Sequence, residues 1–227
     1  GPFGEIARAQ NAMLDRIEAL VTGLVTVTDS IAHDLRTPLT RMKLQLAMLP
    51  KNDDTEAMKY DVSAMEKMIK AYLDFARDET LEYTLRCNLV DLLQQSINDA
   101  TKQNLQITYD LPETPIILTL RPQAIQRVFT NLLDNMRLYA DRGHLTVNKL
   151  SRYVEIIFDD HGPGIPEDQR EEVFKPFHRL DASRNQDIEG TGLGLTIARD
   201  IIQSHGGTIV LDVSPQSGLR VTIRLPL

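Results

Sequence analysis

A single cysteine, Cys87, occurs in 227 residues. It can form neither an internal disulfide nor a cysteine-rich metal site, a usage that fits a reducing compartment and leaves Cys87 as a small packed residue. Long apolar runs are missing too: no stretch of about 18 apolar residues is present to cross a membrane, and nothing resembles a signal peptide. Basic charge is also short. With 25 Lys and Arg against 32 Asp and Glu, the net charge is -7 and the pI about 5.3. That balance speaks against a nucleic-acid-binding surface, so no direct nucleic-acid partner is expected. The hydrophobic fraction of 42% is ordinary for a globular chain, and the length allows one large domain or two small ones.

Ser30 to Leu44, SIAHDLRTPLTRMKL, carries the first unusual feature. Ile31, Leu35, Leu39, Met42, Leu46 and Leu49 mark one stripe of an amphipathic helix. At about 100° per residue His33 points away from the Ile31 and Leu35 side, towards solvent. An exposed imidazole can act as nucleophile or base near neutral pH, and the carboxylate of Asp34 beside it can accept its ring proton or fix its tautomer. Taken singly, the pair reads first as part of an ordinary polar face. Pro38, one turn on, costs a helix interior on the order of 3 kcal/mol, so its presence asks for a reason.

Before this segment Ile6, Ala9, Met13, Ile17, Leu20, Leu24, Val27 and Ile31 recur every three or four residues, a coiled-coil seam with a local break of the heptad. Residues 50–54 hold helix-stop and helix-start chemistry. A second helix follows on Met58, Val62, Met65, Ile69, Tyr72 and Ala76. Two helices joined by a short turn make an antiparallel hairpin whose long apolar face is buried by dimerising into a four-helix bundle. Beyond Arg86 the pattern changes to helices at about 88–103, 122–139 and 193–205 and strands near 105–109, 116–120, 145–150, 153–158, 208–213 and 220–225. Helices mixed with strands that are mostly adjacent hairpins predict an α+β sandwich as a second domain.

Three stretches of that domain carry chemistry. Asp159 to Ile165 reads DDHGPGI after an apolar strand. Gly162 and Gly164 let backbone approach a flat ligand and Asp160 can accept from an exocyclic amine, although a tight turn has the same composition. Gly190 to Leu195 reads GTGLGL and opens a helix, where free amides and the helix dipole suit phosphate. It is neither a Walker A loop nor a placed Rossmann fingerprint. The polar residues Asp181 to Glu189 before it suit a lid. Asn131 and Asn135 share one helix face, and their side-chain oxygens suit Mg²⁺. Phe174 and Phe177 read as the hydrophobic anchor of the lid. His144, His161, His178 and His205 have no spacing that suggests catalysis or metal binding.

SIAHDLRTPLTRMKL, NLLDNMRLYA, DDHGPGIP, VFKPFHRLD and GTGLGL stand in the order of the H, N, G1, F and G2 boxes of bacterial sensor histidine kinases, and the chain resembles that family over nearly its whole length. It is similar to the transmembrane branch of osmosensing and envelope-sensing kinases. The resemblance implies a multidomain protein: an all-α helical hairpin forming a dimeric four-helix bundle, followed by an α+β sandwich of the GHKL ATPase type. The expected divisions are 1–27, a tag scar and HAMP-derived coiled-coil signalling helix; 28–80, the dimerisation and phosphotransfer hairpin; 81–87, a linker; and 88–227, the ATP-binding domain. It further implies ATP and Mg²⁺ as cofactors, a homodimer, a response regulator receiver domain as partner, and a cytoplasmic portion of an inner-membrane sensor whose transmembrane segments lie outside this sequence.

By the same matching His33 accepts phosphate from ATP, Asp34 is the adjacent base, and Thr37 helps position water when the phosphorylated regulator is dephosphorylated. Pro38 then becomes a kink that lets the bundle bend. Asp160 recognises adenine, Asn135 holds the metal and Asn131 lines the phosphate site. Tyr139, Gly162, Gly164, Ile165, Thr191, Gly192, Leu193, Gly194 and Leu195 complete the nucleotide site. Two positions depart from the pattern: Met136 replaces a small residue, and Leu138 replaces a Lys or Arg, while Tyr139 fits. Arg137 points about 100° away from the lost cation's place. The expected activity is autophosphorylation of His33 and transfer to a regulator aspartate, with phosphatase activity on the regulator. A phosphatase-dominant or scaffold module with weak kinase activity is the alternative the departures favour. A gyrase-like or Hsp90-like ATPase has no use for the His33 hairpin.

Overall fold

The computed structural model describes residues 13, 31, 33–178, 180 and 192–227. The expected seam over residues 6–27 apart from Met13, the lid residues 181–189 and Thr191 lie outside the described residues. The chain divides into two compact units, residues 1–81 and 82–227.

In the first unit, helix α1 is described over residues 33–48 and α2 spans Asp53–Leu81. The turn between them is closed by reciprocal capping. Thr55 N donates to Asn52 Oδ1 at 2.8 Å and Asn52 N donates to Thr55 Oγ1 at 2.9 Å, which satisfies amides that a helix start leaves without partners. Asp53, Asp54 and Glu56 crowd the first turn, where the helix dipole favours negative charge. Leu39 and Leu46 of α1 meet Val62 of α2 in a small core, with Ile69 partly buried against it. Lys43 and Glu66 bridge the two helices at 2.5 Å. Ile31, Leu35, Met42, Leu49, Met58 and Met65 stay exposed, so one hairpin leaves much of its apolar stripe in water. Pro38 sits inside continuous helix on an exposed turn, where the carbonyl it strands, that of Asp34, can meet solvent.

The second unit opens with strand β1 (Leu85–Asn88), followed by α3 (Leu89–Lys102), β2 (Gln106–Asp110), β3 (Ile117–Leu120) and α4 (Pro122–Tyr139). Then come β4 (Arg142–Lys149), β5 (Tyr153–Asp160), two short 3₁₀ turns, α5 (Gly194–Ser204), β6 (Thr208–Val213) and β7 (Leu219–Pro226). The main sheet has the order β2-β4-β5-β7-β6, and β1 pairs with β3 in a separate antiparallel ribbon. Alternate residues of the sheet, among them Leu145, Ile156, Phe158, Leu211 and Ile223, are buried on one face. They meet the apolar stripes of the helices, including Leu93, Phe129, Leu133 and Ile201. The result is a two-layer sandwich of helices on a sheet.

Two features differ from the periodicity. Leu85–Asn88, within the stretch expected to link the domains and start the next helix, is strand, held by pairing with β3. And β2 runs parallel to β4 rather than forming a hairpin with its sequence neighbour β3. Pairing of this kind depends on a crossover, here through α4, that period-2 alternation does not encode.

Candidate functional site

His33 and Asp34 lie on α1 with side chains 80% and 78% exposed, and His33 Nδ1 stands 3.7 Å from Asp34 Oδ1. That separation allows attraction to a protonated ring and is too long for a hydrogen bond. Thr37 Oγ1 donates to the His33 carbonyl at 3.2 Å, which keeps its hydroxyl one turn below the ring.

In the second unit the buried carboxylate of Asp160 ends β5. Its Oδ1 accepts from Gly162 N at 2.9 Å and from Leu219 N at 2.8 Å. Among the described residues no hydrogen bond uses Oδ2. The cleft in front of it is walled by Leu132, Met136, Phe158, Leu195 and Val221, with Asn135 at its edge. Apolar walls and a buried carboxylate oxygen suit a flat heteroaromatic ring that offers an amine. On the neighbouring strand position Asp159 points away from Asp160 and forms a two-pronged ion pair with Arg220, at 2.7 and 2.8 Å, and this pairing pushes the Arg220 guanidinium's pKa up.

Asn131 and Asn135 leave α4 one turn apart and face the first residue of α5. Asn131 Nδ2 donates to the Gly194 carbonyl at 3.2 Å. A Cβ at Gly194 would stand in ordinary van der Waals contact, 3.7 Å from both the Asn131 Cβ and Asn135 Oδ1, which places the start of α5 directly beside both asparagines. Leu193 is buried and Leu195 lines the cleft, one on each side of Gly194. The structure therefore brings Asn135, Asp160 and Leu195 to one cleft, with the bonded pair Asn131 and Gly194 beside Asn135. Gly162 borders it more distantly, its absent Cβ leaving room for the Tyr139 carbonyl at 2.9 Å, whereas the Tyr139 ring is exposed. Gly164 has φ +70°, and Ile165 O accepts from Arg170 Nε at 3.3 Å, so these two shape the turn after Asp160.

Of the two phenylalanines expected to anchor the lid, Phe174 alone is buried. Arg199 lies over its ring at 3.6 Å while pairing with Glu171, and Thr196 Oγ1 donates to its carbonyl. Phe177 is exposed and acts through its backbone, donating its N–H to the Gly192 carbonyl at 3.0 Å. Gly192 has φ +68° and no room for a Cβ, which would meet the Phe177 backbone at 2.9 Å. Asp200, beside Arg199 on α5, has its carboxyl pushed up by burial, partly opposed by the Arg199 charge.

Both departures from the family pattern have structural counterparts. Met136 is buried above Gly143, where a Cβ would come within 2.6 Å of its Cε, so the bulk added at one position is matched by a glycine on β4. Leu138 is half-buried, and Arg137 Nη2 lies 3.5 Å from Asp134 Oδ1, turned along its own helix.

Sequence reasoning missed the shelf beneath Asp160. Ser214 Oγ donates to the Asp160 carbonyl at 2.8 Å and accepts from Gly218 N at 2.9 Å. A Cβ at Gly218 would lie 2.7 Å from the Asp160 carbonyl carbon and closer still to its oxygens. The one signal was the SPQSG turn between the last two strands, a composition shared by many turns.

The donor set fits a nucleotide with its metal. Among the described residues no group of three His, Cys, Asp or Glu is placed to hold a metal ion. An ion held through one amide oxygen and the ligand's own phosphates needs no such group, as is usual for Mg²⁺. An antiparallel helical hairpin presenting an exposed histidine, followed by a helix-on-sheet sandwich with an apolar cleft around a buried carboxylate, defines the class: a phospho-acceptor module joined to a nucleotide-binding module. Residues 24–81 match the family model described as the His Kinase A (phospho-acceptor) domain. Residues 121–227 match the histidine kinase-, DNA gyrase B- and HSP90-like ATPase.

The chain is 34% identical to the sensor histidine kinase GtrS of Pseudomonas aeruginosa over 98% of its own length and 46% of that protein's. It is 30% identical to the sensor histidine kinase CpxA of Escherichia coli over 96% and 50%. The ATP binding domain of PrrB from Mycobacterium tuberculosis superposes with a TM-score of 0.53 at 28% identity, covering 63% of this chain and 96% of that domain. The chain belongs to the bacterial sensor histidine kinases. It spans about half the length of the curated relatives it matches.

Proposed function

We propose that this chain is the kinase portion of a sensor that phosphorylates His33 from Mg-ATP and passes the phosphoryl group to an aspartate of a response regulator. The observation that carries this reading is the exposed His33–Asp34 pair in the same chain as the Asp160 cleft. A neutral ring nitrogen of His33 attacks the γ-phosphorus, the bond to the β-phosphate oxygen breaks and ADP leaves. Asp34, the adjacent base, takes the proton from the ring's other nitrogen as the new bond forms. Asp160 Oδ2 accepts from the adenine amine, Asn135 gives the metal an oxygen, and Asn131 with the amides at the start of α5 steadies the phosphates. When bound, Mg²⁺ supplies charge neutralisation at the phosphates. Chemistry of this kind depends on positioning and electrostatics more than on covalent help from the protein.

The exposed apolar stripe of α1 and α2 supports a homodimer, since a second copy would bury Ile31, Leu35, Met42, Leu49, Met58 and Met65. Leu44 and Met48, 63% and 88% exposed, fall within about 60° of His33 on the helix and make an apolar strip suited to a receiver domain. The domain limits given by the sequence reading, the membrane-bound placement of the whole sensor and a regulator phosphatase activity that uses Thr37 belong to the same proposal.

Radiolabelled ATP with Mg²⁺ tests it, applied to the wild type and His33→Gln. Acid-labile label on the wild type alone is expected. Its absence from both would favour the second reading, a phosphatase-dominant or scaffold module. That reading draws on Leu138, which carries no cation, and on Arg137, which is turned to Asp134.

A further inference from the structure

Helix α4, which carries Asn131 and Asn135, starts without a cap of its own: Arg121 at the N-cap position makes no side-chain capping bond. Its exposed amides are nevertheless accounted for. Pro122 has no N–H, and Ile125 N donates to the Arg121 carbonyl at 3.0 Å. Arg121 N donates to His205 Nε2 at 3.1 Å, at the far end of α5. The remaining two, Gln123 N and Ala124 N, donate to the two carboxylate oxygens of Glu82, at 2.6 and 2.9 Å. A carboxylate astride the first turn also meets the positive end of the helix dipole. Glu82 lies 41 residues before Gln123 and directly follows Leu81, the last residue of α2.

We propose that Glu82 is a positioning residue for the nucleotide site: as the first residue of the second unit it supplies the missing cap of α4, and so sets the height of Asn131 and Asn135 against Gly194 and Asp160. Asn131 is bonded to Gly194 and Asn135 borders the cleft, so a shift of α4 along its axis changes both contacts together. The inference rests on the nucleotide-binding reading given above. It goes further in making the first residue after α2 a determinant of nucleotide affinity. A displacement of that residue away from α4 frees two amides and lets the helix start relax, with the asparagines two and three turns on.

The test compares Glu82→Ala and Glu82→Gln with Asn88→Ala in the full chain. Asn88 is the matched control, because its Oδ1 accepts from Val90 N at the start of α3, a helix that carries no site residue, and from Ile116 N just before β3. The readouts are thermal unfolding and affinity for a fluorescent ATP analogue with Mg²⁺. Both alanine variants should lower Tm, but only Glu82→Ala should weaken binding, by roughly threefold to tenfold for the loss of a cap. Glu82→Gln should fall between, since its carbonyl oxygen keeps one of the two bonds. Wild-type affinity in Glu82→Ala, or an equal loss in Asn88→Ala, overturns the proposal. Since the readout is binding and not transfer, a chain that binds nucleotide but leaves His33 unlabelled refutes the kinase reading alone. A wild type that binds no nucleotide overturns both.

Discussion

Gly218→Ala should damage nucleotide binding although residue 218 is not among those that line the Asp160 cleft. The added Cβ would stand 2.7 Å from the Asp160 carbonyl carbon, where carbon atoms prefer about 3.5 to 4.0 Å. The obstacle is backbone, not the end of a flexible side chain, so either β5 or the turn into β7 must move by about 1 Å. That displacement costs roughly 1 to 3 kcal/mol of stability, as overpacking commonly does. It also disturbs the two amide bonds that aim the Asp160 carboxylate, from Gly162 and Leu219. If the carboxylate then misses the ligand's amine, the loss is that of a charged hydrogen bond, about 1.5 to 3 kcal/mol or roughly tenfold to a hundredfold in affinity. Titration calorimetry with Mg-ADP reads this directly. Gly206→Ala provides the contrast. Its φ is +71° but the nearest atom to a new Cβ is Pro226 Cγ at 3.8 Å, so it should lose about 1 to 2 kcal/mol of stability from the left-handed backbone and keep its affinity. Gly218→Ala binding within twofold of wild type would refute the reasoning.

Two further outcomes follow from the departures and from α1. Leu138→Arg should restore a cation near the triphosphate and raise nucleotide affinity or the autophosphorylation rate, by about tenfold at most for a half-exposed charge pair; no change in either would mean that the departure is harmless. Thr37→Ala removes only a hydroxyl bonded to the His33 carbonyl, so it should spare autophosphorylation while slowing dephosphorylation of the regulator at least severalfold. Equal loss of both would end that division of labour.

Much of the molecule is legible in the sequence. The three-and-four spacing of the two stripes that contain Leu39, Leu46 and Val62 marks the hairpin core, and the expected helix at 122–139 matches α4. Asn131 and Asn135 could be assigned to one face because four residues make about one turn. What escaped were contacts between segments remote in the chain. The spacing of His205 suggests neither catalysis nor metal binding. Its ring instead accepts from Arg121 N, with Nδ1 2.7 Å from the Ile201 carbonyl, which fixes the tautomer with the proton on Nδ1. The parallel pairing of β2 with β4 was likewise missed, since a strand's alternation names its buried face but not its neighbour.

The amino-acid order by itself determined the periodic elements, the exposed side of His33 and the residue types the chemistry needs. These depend on the fixed turn of a helix and on side-chain chemistry, both local. Only the tertiary structure decided that Gly218 supports Asp160, that Met136 is matched by Gly143, and that a carboxylate at position 82 caps the helix bearing the asparagines. Such pairings arise when packing brings separate segments within hydrogen-bond or van der Waals range, and that range has no period along the chain.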